Sequence, residues 1–142
     1  MKYRRLGKTD FKISEVSLGT WQVGGKWGTG FDEEHAERIL HEAIDNGVNF
    51  IDTADVYEDG CSEAAVGRVV RSRDEQVYVA SKCGRKINPH LPEGYTPEVL
   101  RGFVEDSLKN TGLERLDLMQ LHCPPTEVYY KPEIFELFDR LK

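Results

Sequence analysis

A chain of 142 residues is long enough for one domain with its own core. Its composition, 39% hydrophobic and 31% charged, includes no apolar run of about 18 residues, which excludes a membrane span, and residues 1–5 lack the apolar stretch of a signal peptide. The net charge of −6, with both signs interspersed, excludes a basic stripe for nucleic acid, and the cluster Lys82, Arg85 and Lys86 is too local to hold a duplex.

Taken in chain order, Tyr3 to Ile13 read as a hairpin around the turn Gly7-Lys8-Thr9-Asp10. Short apolar runs then alternate with segments of helical period. The runs are Val16 to Leu18, Val48 to Ile51, Val77 to Ala80 and Leu116 to Leu121, each expected to be a buried parallel strand. Asp32 is expected to cap a helix over 33–45, with Glu33 and Glu34 in the first turn and Gly47 after its end. Ser62 is expected to cap a second helix through Ala65, Val66, Val69 and Val70. Thr96 and Pro97 open a third, lined by Val99, Leu100, Phe103, Val104 and Leu108 and closed by Gly112. Pro132 opens a fourth, with Ile134, Phe135, Leu137 and Phe138. No linker or low-complexity tract divides the chain, so residues 1–142 are expected to form a single domain.

A hairpin followed by four βα units allows a doubly wound open sheet or part of a (β/α)8 TIM-type barrel, and periodicity does not separate them. A complete barrel takes about 250 residues, so length argues against a complete barrel and leaves the open sheet and the partial barrel both standing. Three cysteines (Cys61, Cys83, Cys123) without paired spacing argue against a disulfide framework, and reduced thiols fit an expected cytoplasmic location. The four histidines show no metal-ligand spacing, so no metal is expected. Gly7-Lys8-Thr9 resembles the tail of a P-loop, but Lys2 stands where its first glycine belongs. Gly19 to Gly30 lack dinucleotide-fold spacing, and no GxSxG elbow occurs.

Chemistry is concentrated where the apolar runs end. Asp52, Lys82 and His122 each close a run, and Tyr57 follows one. In parallel α/β folds those ends share one rim, where ligands bind. A carboxylate keeps a nearby ammonium charged, and an ammonium beside a phenol eases release of its proton. An imidazole can orient the oxygen that receives that proton. Such a group suits carbonyl reduction but contains no hydride source, so a cofactor is required. Taken singly, each residue has an ordinary reading: Asp52 a turn cap, Tyr57 a half-buried loop aromatic, Lys82 a surface charge, His122 a turn ligand. Their joint fall on one rim is what favours chemistry.

Five blocks in order resemble the aldo-keto reductase family, over essentially the whole chain. Phe50 to Ala54 with Tyr57, followed by Ser62-Glu63 and Val66-Gly67, resemble the segment around the family's catalytic Asp and Tyr. Val79 to Lys82 resemble the strand with its lysine, and Asp117 to His122 the strand with its histidine. Leu18 to Trp21 resemble the first strand and loop, which in the family lie against the cofactor, and Tyr3 to Gly7 the hairpin that plugs the barrel's lower end. The resemblance implies Tyr57 as proton donor, Lys82 tuning it, Asp52 paired with Lys82, and His122 orienting the carbonyl. It implies Gly19, Thr20, Trp21 and Asp52 beside the cofactor, NADPH with NADH possible, and a small-molecule carbonyl as substrate. Glu58 departs from the pattern, since many members have glycine there. Trp21, Trp27 and Tyr95 could line an apolar pocket or be core aromatics.

The resemblance implies an incomplete α/β barrel of the (β/α)8 TIM type, the hairpin plus about four βα units, with strands five to eight, and with them the adenosine phosphate contacts, beyond what these residues supply. The chain is therefore expected to be a fragment or one piece of a larger assembly, self-associating or pairing with a C-terminal half. Two other readings stand beside the reductase: a non-catalytic barrel fragment that only associates with other chains, and a cofactor-sensing interaction module.

Overall fold

The computed structural model of the chain describes residues 1–25 and 30–142. Trp27, one of the candidate pocket aromatics, lies outside the described residues. The N-terminal hairpin forms as its turn residues predict: β1 (Tyr3–Arg5) pairs antiparallel with β2 (Lys12–Ser14) as a separate two-stranded sheet. It is held where later strands begin. The Asn49 side chain accepts from the Ser14 N–H (2.6 Å) and donates to the Lys12 carbonyl (3.0 Å). Phe11 stacks on Tyr78 with ring centres 4.7 Å apart.

Four parallel strands follow: β3 (Leu18–Gly19), β4 (Phe50–Asp52), β5 (Tyr78–Cys83) and β6 (Leu118–Leu121). Helices α1 (Glu33–Asp45), α2 (Cys61–Arg71), α3 (Pro97–Thr111) and α4 (Pro132–Leu141) alternate with them. The sheet order is β3-β4-β5-β6, the order of the sequence. A doubly wound sheet reverses its strand order at a switch point. Among the described strands no reversal occurs, and the barrel arrangement is the one that remains.

Two helix starts match their capping residues. The Asp32 carboxylate accepts from the His35 N–H at 2.9 Å, and the Thr96 hydroxyl from the Val99 N–H at 3.4 Å, with Pro97 in the first turn. The second does not. Gly60, at φ +90°, is the cap of α2, and Ser62 lies inside the first turn, its hydroxyl bonded to Thr20 and Thr53. A β-carbon on Gly60 would stand 2.8 Å from the Asn110 amide nitrogen, so fit and backbone together select glycine.

Apolar faces of α1 and α2 close over β4 and β5 through Ala36, Leu40, Ile51, Val66, Val69 and Val79. A second cluster joins Cys83, Leu100, Val128, Ile134 and Leu137. Each fully buried Leu, Ile or Val contributes about 1.5–3 kcal/mol relative to exposure. Three expectations fail at the margins. Val16 is exposed, because strand pairing starts only where Leu18 meets Ile51. Val99 lies on the outer face of α3 and is exposed. The fourth strand begins at Leu118 rather than Leu116 and is half-buried throughout, because its described neighbour, β5, lies on one side only. A cavity of about 470 Å³ lies there, lined by residues that include Leu108, Leu116, Leu118, Met119, Phe138 and Leu141. No helix of the described residues is long and apolar enough to cross a membrane, and no group of three His, Cys, Asp or Glu among them is placed to hold a metal ion.

Candidate active site

Parallel register carries the polar residues to one rim. Gly19 pairs with Asp52, Asp52 with Ala80, and Lys82 with Gln120. Because side chains alternate along a strand, Asp52, Lys82 and Gln120 share a face. Lys82 is the hub. Its Nζ donates to Asp52 Oδ2 (2.6 Å), to the Thr53 carbonyl (2.9 Å) and to Tyr57 Oη (3.2 Å). An ammonium has three N–H groups, so all of them are committed. Asp52 is held on its other oxygen by the Gln120 amide at 3.1 Å.

Tyr57 opens a short 3-10 helix, Tyr57–Gly60, directly after the β4 loop. Its N–H closes a turn on the Ala54 carbonyl at 3.1 Å, which folds the chain back and brings the phenol over Lys82, 4.9 Å from ring centre to Nζ. The next two residues, Glu58 and Asp59, take left-handed φ values of +46° and +51°. That conformation is the one glycine adopts without cost, and a side chain there costs roughly 1–2 kcal/mol. His122 is set by its backbone N–H, which donates to the Cys83 carbonyl at 2.8 Å. Its ring stands edge-on to Tyr57, with centres 5.8 Å apart. Burial holds the imidazole below its ordinary pKa, and the charges of Lys82 and Arg85 add to the effect. Its Nδ1 is buried without a hydrogen-bond partner among the described residues.

The four residues expected to act together are therefore together, joined by two that sequence reasoning missed. Gln120 lies two residues before His122, and period-two alternation along that strand was the available signal. The Thr53 carbonyl, a backbone group, left no trace in the sequence.

The residues expected near a cofactor divide. A β-carbon on Gly19 would meet open space, and Trp21 is exposed beside it, lining a cavity of about 270 Å³ with Gln22, Gly25, Val56 and Glu58. Thr20 is buried instead. Its N–H and hydroxyl bond the Asp52 carbonyl (3.0 and 3.2 Å), and Ser62 donates to that hydroxyl at 2.8 Å. Tyr95 is also buried, at 1% exposure, so the core alternative describes it.

Beneath the rim lies a buried acidic layer. Glu63 is fully buried and accepts from the Asn110 amide (2.9 Å) and the Ser81 hydroxyl. Asp55 is buried with neither carboxyl oxygen bonded among the described residues. Burial pushes its pKa up to about 6; Lys86 opposes this, and Glu63 and Asp106 add to it. The Cys83 thiol is pushed up to about 12, chiefly by burial, which leaves it a packing group and not a nucleophile.

Residues 15–142 match the Aldo/keto reductase family, and the chain belongs to it. It is 34% identical to an uncharacterized oxidoreductase of Bacillus subtilis, YqkF, over 100% of this chain and 45% of the relative. It is 33% identical to an NADH-specific methylglyoxal reductase of Escherichia coli, over 93% of this chain and 45% of the relative. Among solved structures, the holo form of an aldo-keto reductase from Bacillus halodurans superposes with a TM-score of 0.84 at 30% identity, covering 100% of this chain and 46% of that one. An aldo-keto reductase of Klebsiella pneumoniae in complex with NADPH superposes at 0.71 and 26% identity, covering 92% and 42%. The chain spans about half the length of the proteins it matches. Its fold is accordingly part of a (β/α)8 barrel, with a four-stranded parallel sheet.

Proposed function

We propose that this chain carries the carbonyl-reducing site of a nicotinamide-dependent reductase, with Tyr57 as proton donor. One observation carries the proposal: Lys82 donates to the Tyr57 oxygen. An ammonium can only donate, so the phenol oxygen is the acceptor of that pair, and its own proton is left to point away from Lys82, towards the open rim. As that proton leaves, negative charge grows on the oxygen 3.2 Å from a cation already fixed by Asp52 and Thr53. A positioned acid of this kind contributes typically 10²–10⁴-fold.

His122 complements it. A half-buried imidazole held below its ordinary pKa favours the neutral form, and at its buried, unpaired Nδ1 an acceptor is commoner than an N–H. That assigns the ring proton to Nε2, the nitrogen left to hold a carbonyl oxygen against Tyr57. A bound nicotinamide supplies the hydride. Gly19 and Trp21, with open space above the one and an exposed ring on the other, fit a flat heterocycle beside Asp52. That hydride would go to the carbonyl carbon, and Tyr57 would give its proton to the carbonyl oxygen, leaving an alcohol. The Escherichia coli and Klebsiella relatives use NADH and bind NADPH respectively, and we assign NADPH here with NADH as the alternative. Free thiols at Cys61, Cys83 and Cys123 suit a reducing, cytoplasmic setting.

We further assign the β6 edge and the apolar cavity against α4 to contact with further βα units, in the same chain or in a partner, that complete the barrel and the cofactor's phosphate contacts. The test is direct: mix the intact protein with NADPH or NADH and small aldehydes such as methylglyoxal, and follow loss of reduced cofactor. Carbonyl-dependent oxidation supports the reading. Cofactor binding without turnover on any carbonyl contradicts it.

A further inference from the structure

The segment between β5 and α3 reaches the residue that follows His122. The His90 ring nitrogen Nε2 lies 3.0 Å from the Cys123 carbonyl oxygen. A carbonyl only accepts, so His90 Nε2 carries the proton and donates it. His90 Nδ1 is buried without a partner among the described residues. Cys123 itself sits at φ +49°, in the left-handed region that a residue with a side chain keeps only when its surroundings hold it there.

His90 is itself secured. The Tyr95 ring meets it edge-on at 5.7 Å, and the Tyr95 hydroxyl is 3.4 Å from the same nitrogen. Tyr95 is buried, and its edge fits against Gly84, where a β-carbon would stand 2.8 Å from the ring. Lys131, just before α4, donates to the Pro92 and Tyr95 carbonyls at 2.6 and 3.2 Å, tying the segment down.

We propose that His90 is a positioning residue for His122, clamping the Cys123 peptide so that the His122 ring keeps its angle to Tyr57. The proposal rests on the role assigned to His122 above. His122 is gripped on both sides: its own N–H by the Cys83 carbonyl, and the carbonyl of the next residue, Cys123, by His90. Release of the second grip lets Cys123 leave the left-handed region, and that rotation turns the preceding side chain. Constellations of this kind tolerate about 10–20° of misorientation.

The test is long-range proton–nitrogen NMR on protein labelled with ¹⁵N-histidine, comparing wild type, His90→Ala and His90→Gln. Glutamine places an amide donor near the position of Nε2. Wild type is expected to show His122 as a single Nε2–H tautomer. His90→Ala is expected to give a tautomer mixture with exchange broadening, and His90→Gln to restore the single form. His90→Phe, which keeps the ring and loses the donor, should match His90→Ala and replaces it if alanine does not fold. In turnover, His90→Ala should lower kcat tenfold or more, with the cofactor KM unchanged within twofold and most of the loss recovered by glutamine. An unchanged His122 spectrum in the alanine and phenylalanine variants overturns the proposal, as does a glutamine variant no better than alanine. If the intact protein reduces no carbonyl, the functional reading falls on that result, and the His122 spectrum still decides the clamp.

Discussion

The ammonium of Lys82 donates to the phenol oxygen of Tyr57 across 3.2 Å. On the proposed reading, the direction of that bond leaves the Tyr57 proton to be given outward, and it depends on Lys82 being held by Asp52 and Thr53. Lys82→Met removes the cation while keeping most of the length of the side chain. Carbonyl reduction by the intact protein should fall by about 10²-fold or more, with cofactor affinity changed far less. Lys82→Arg should not rescue it, because a planar guanidinium does not reproduce three divergent donors. Steady-state kinetics with a cofactor titration check both.

Burial and the neighbouring charges of Lys82 and Arg85 hold the His122 pKa below its ordinary value. The rate of carbonyl reduction should therefore stay level as pH falls from 8 through the ordinary histidine value of about 6.5. An acid limb centred at or above that value, and abolished by His122→Gln, would show that the cation forms in the working range and count against the assignment.

Asp55 gives a stability effect with a defined sign. Its folded pKa is raised from 3.8 to about 6. Between those values the folded protein keeps a proton that the unfolded chain has lost, so the group's contribution is full below pH 3.8 and is lost as pH rises to about 6. The loss is on the order of 3 kcal/mol at about 1.4 kcal/mol per unit. Urea unfolding at pH 4, 5, 6 and 7 should show this fall in wild type. Asp55→Asn should abolish it and be the more stable protein at pH 7. Superimposable pH dependences for the two would remove the argument.

The β6 edge gives a prediction about assembly. Leu116, Leu118, Met119 and Phe138 line an open apolar hollow beside a strand with one described neighbour. Residues 1–142 expressed alone should sediment as an oligomer at micromolar concentration. Met119→Lys, a charge on that edge, should shift the distribution towards monomer. A cooperatively folded monomer of the unchanged chain would contradict the proposed contact.

Much of this is legible in the sequence. Asp52, Lys82 and His122 could be placed because parallel strands bury their middles and end in whatever the chemistry needs, so polar residues closing apolar runs are conspicuous. The caps at Asp32 and Thr96 were readable for a related reason: a side-chain oxygen beside free backbone N–H groups is a local event. What the sequence hid was non-local or backbone. Ser62 reads as a cap, but Gly60 takes that place and the serine turns into a buried network with Thr20 and Thr53, a contact spanning 42 residues on the Thr20 side. Thr20 likewise bonds the Asp52 carbonyl, a contact across 32 residues that no local pattern marks. His90 sits in an irregular segment with no period to mark it, and only its distance to the Cys123 carbonyl gives it meaning. The choice between open sheet and barrel came from the family resemblance, since periodicity does not encode strand order, and the order β3-β4-β5-β6 agrees with it.

The most direct test of the central claim is replacement of Tyr57 by phenylalanine in the intact protein, with carbonyl-dependent cofactor oxidation and cofactor binding by fluorescence measured side by side. The account predicts a loss of turnover of about 10²-fold or more with the dissociation constant preserved within twofold, since one hydroxyl is removed and the ring that packs over Lys82 remains. Turnover that survives the substitution would mean that the proton comes from another group, and the role given to Tyr57 would be wrong.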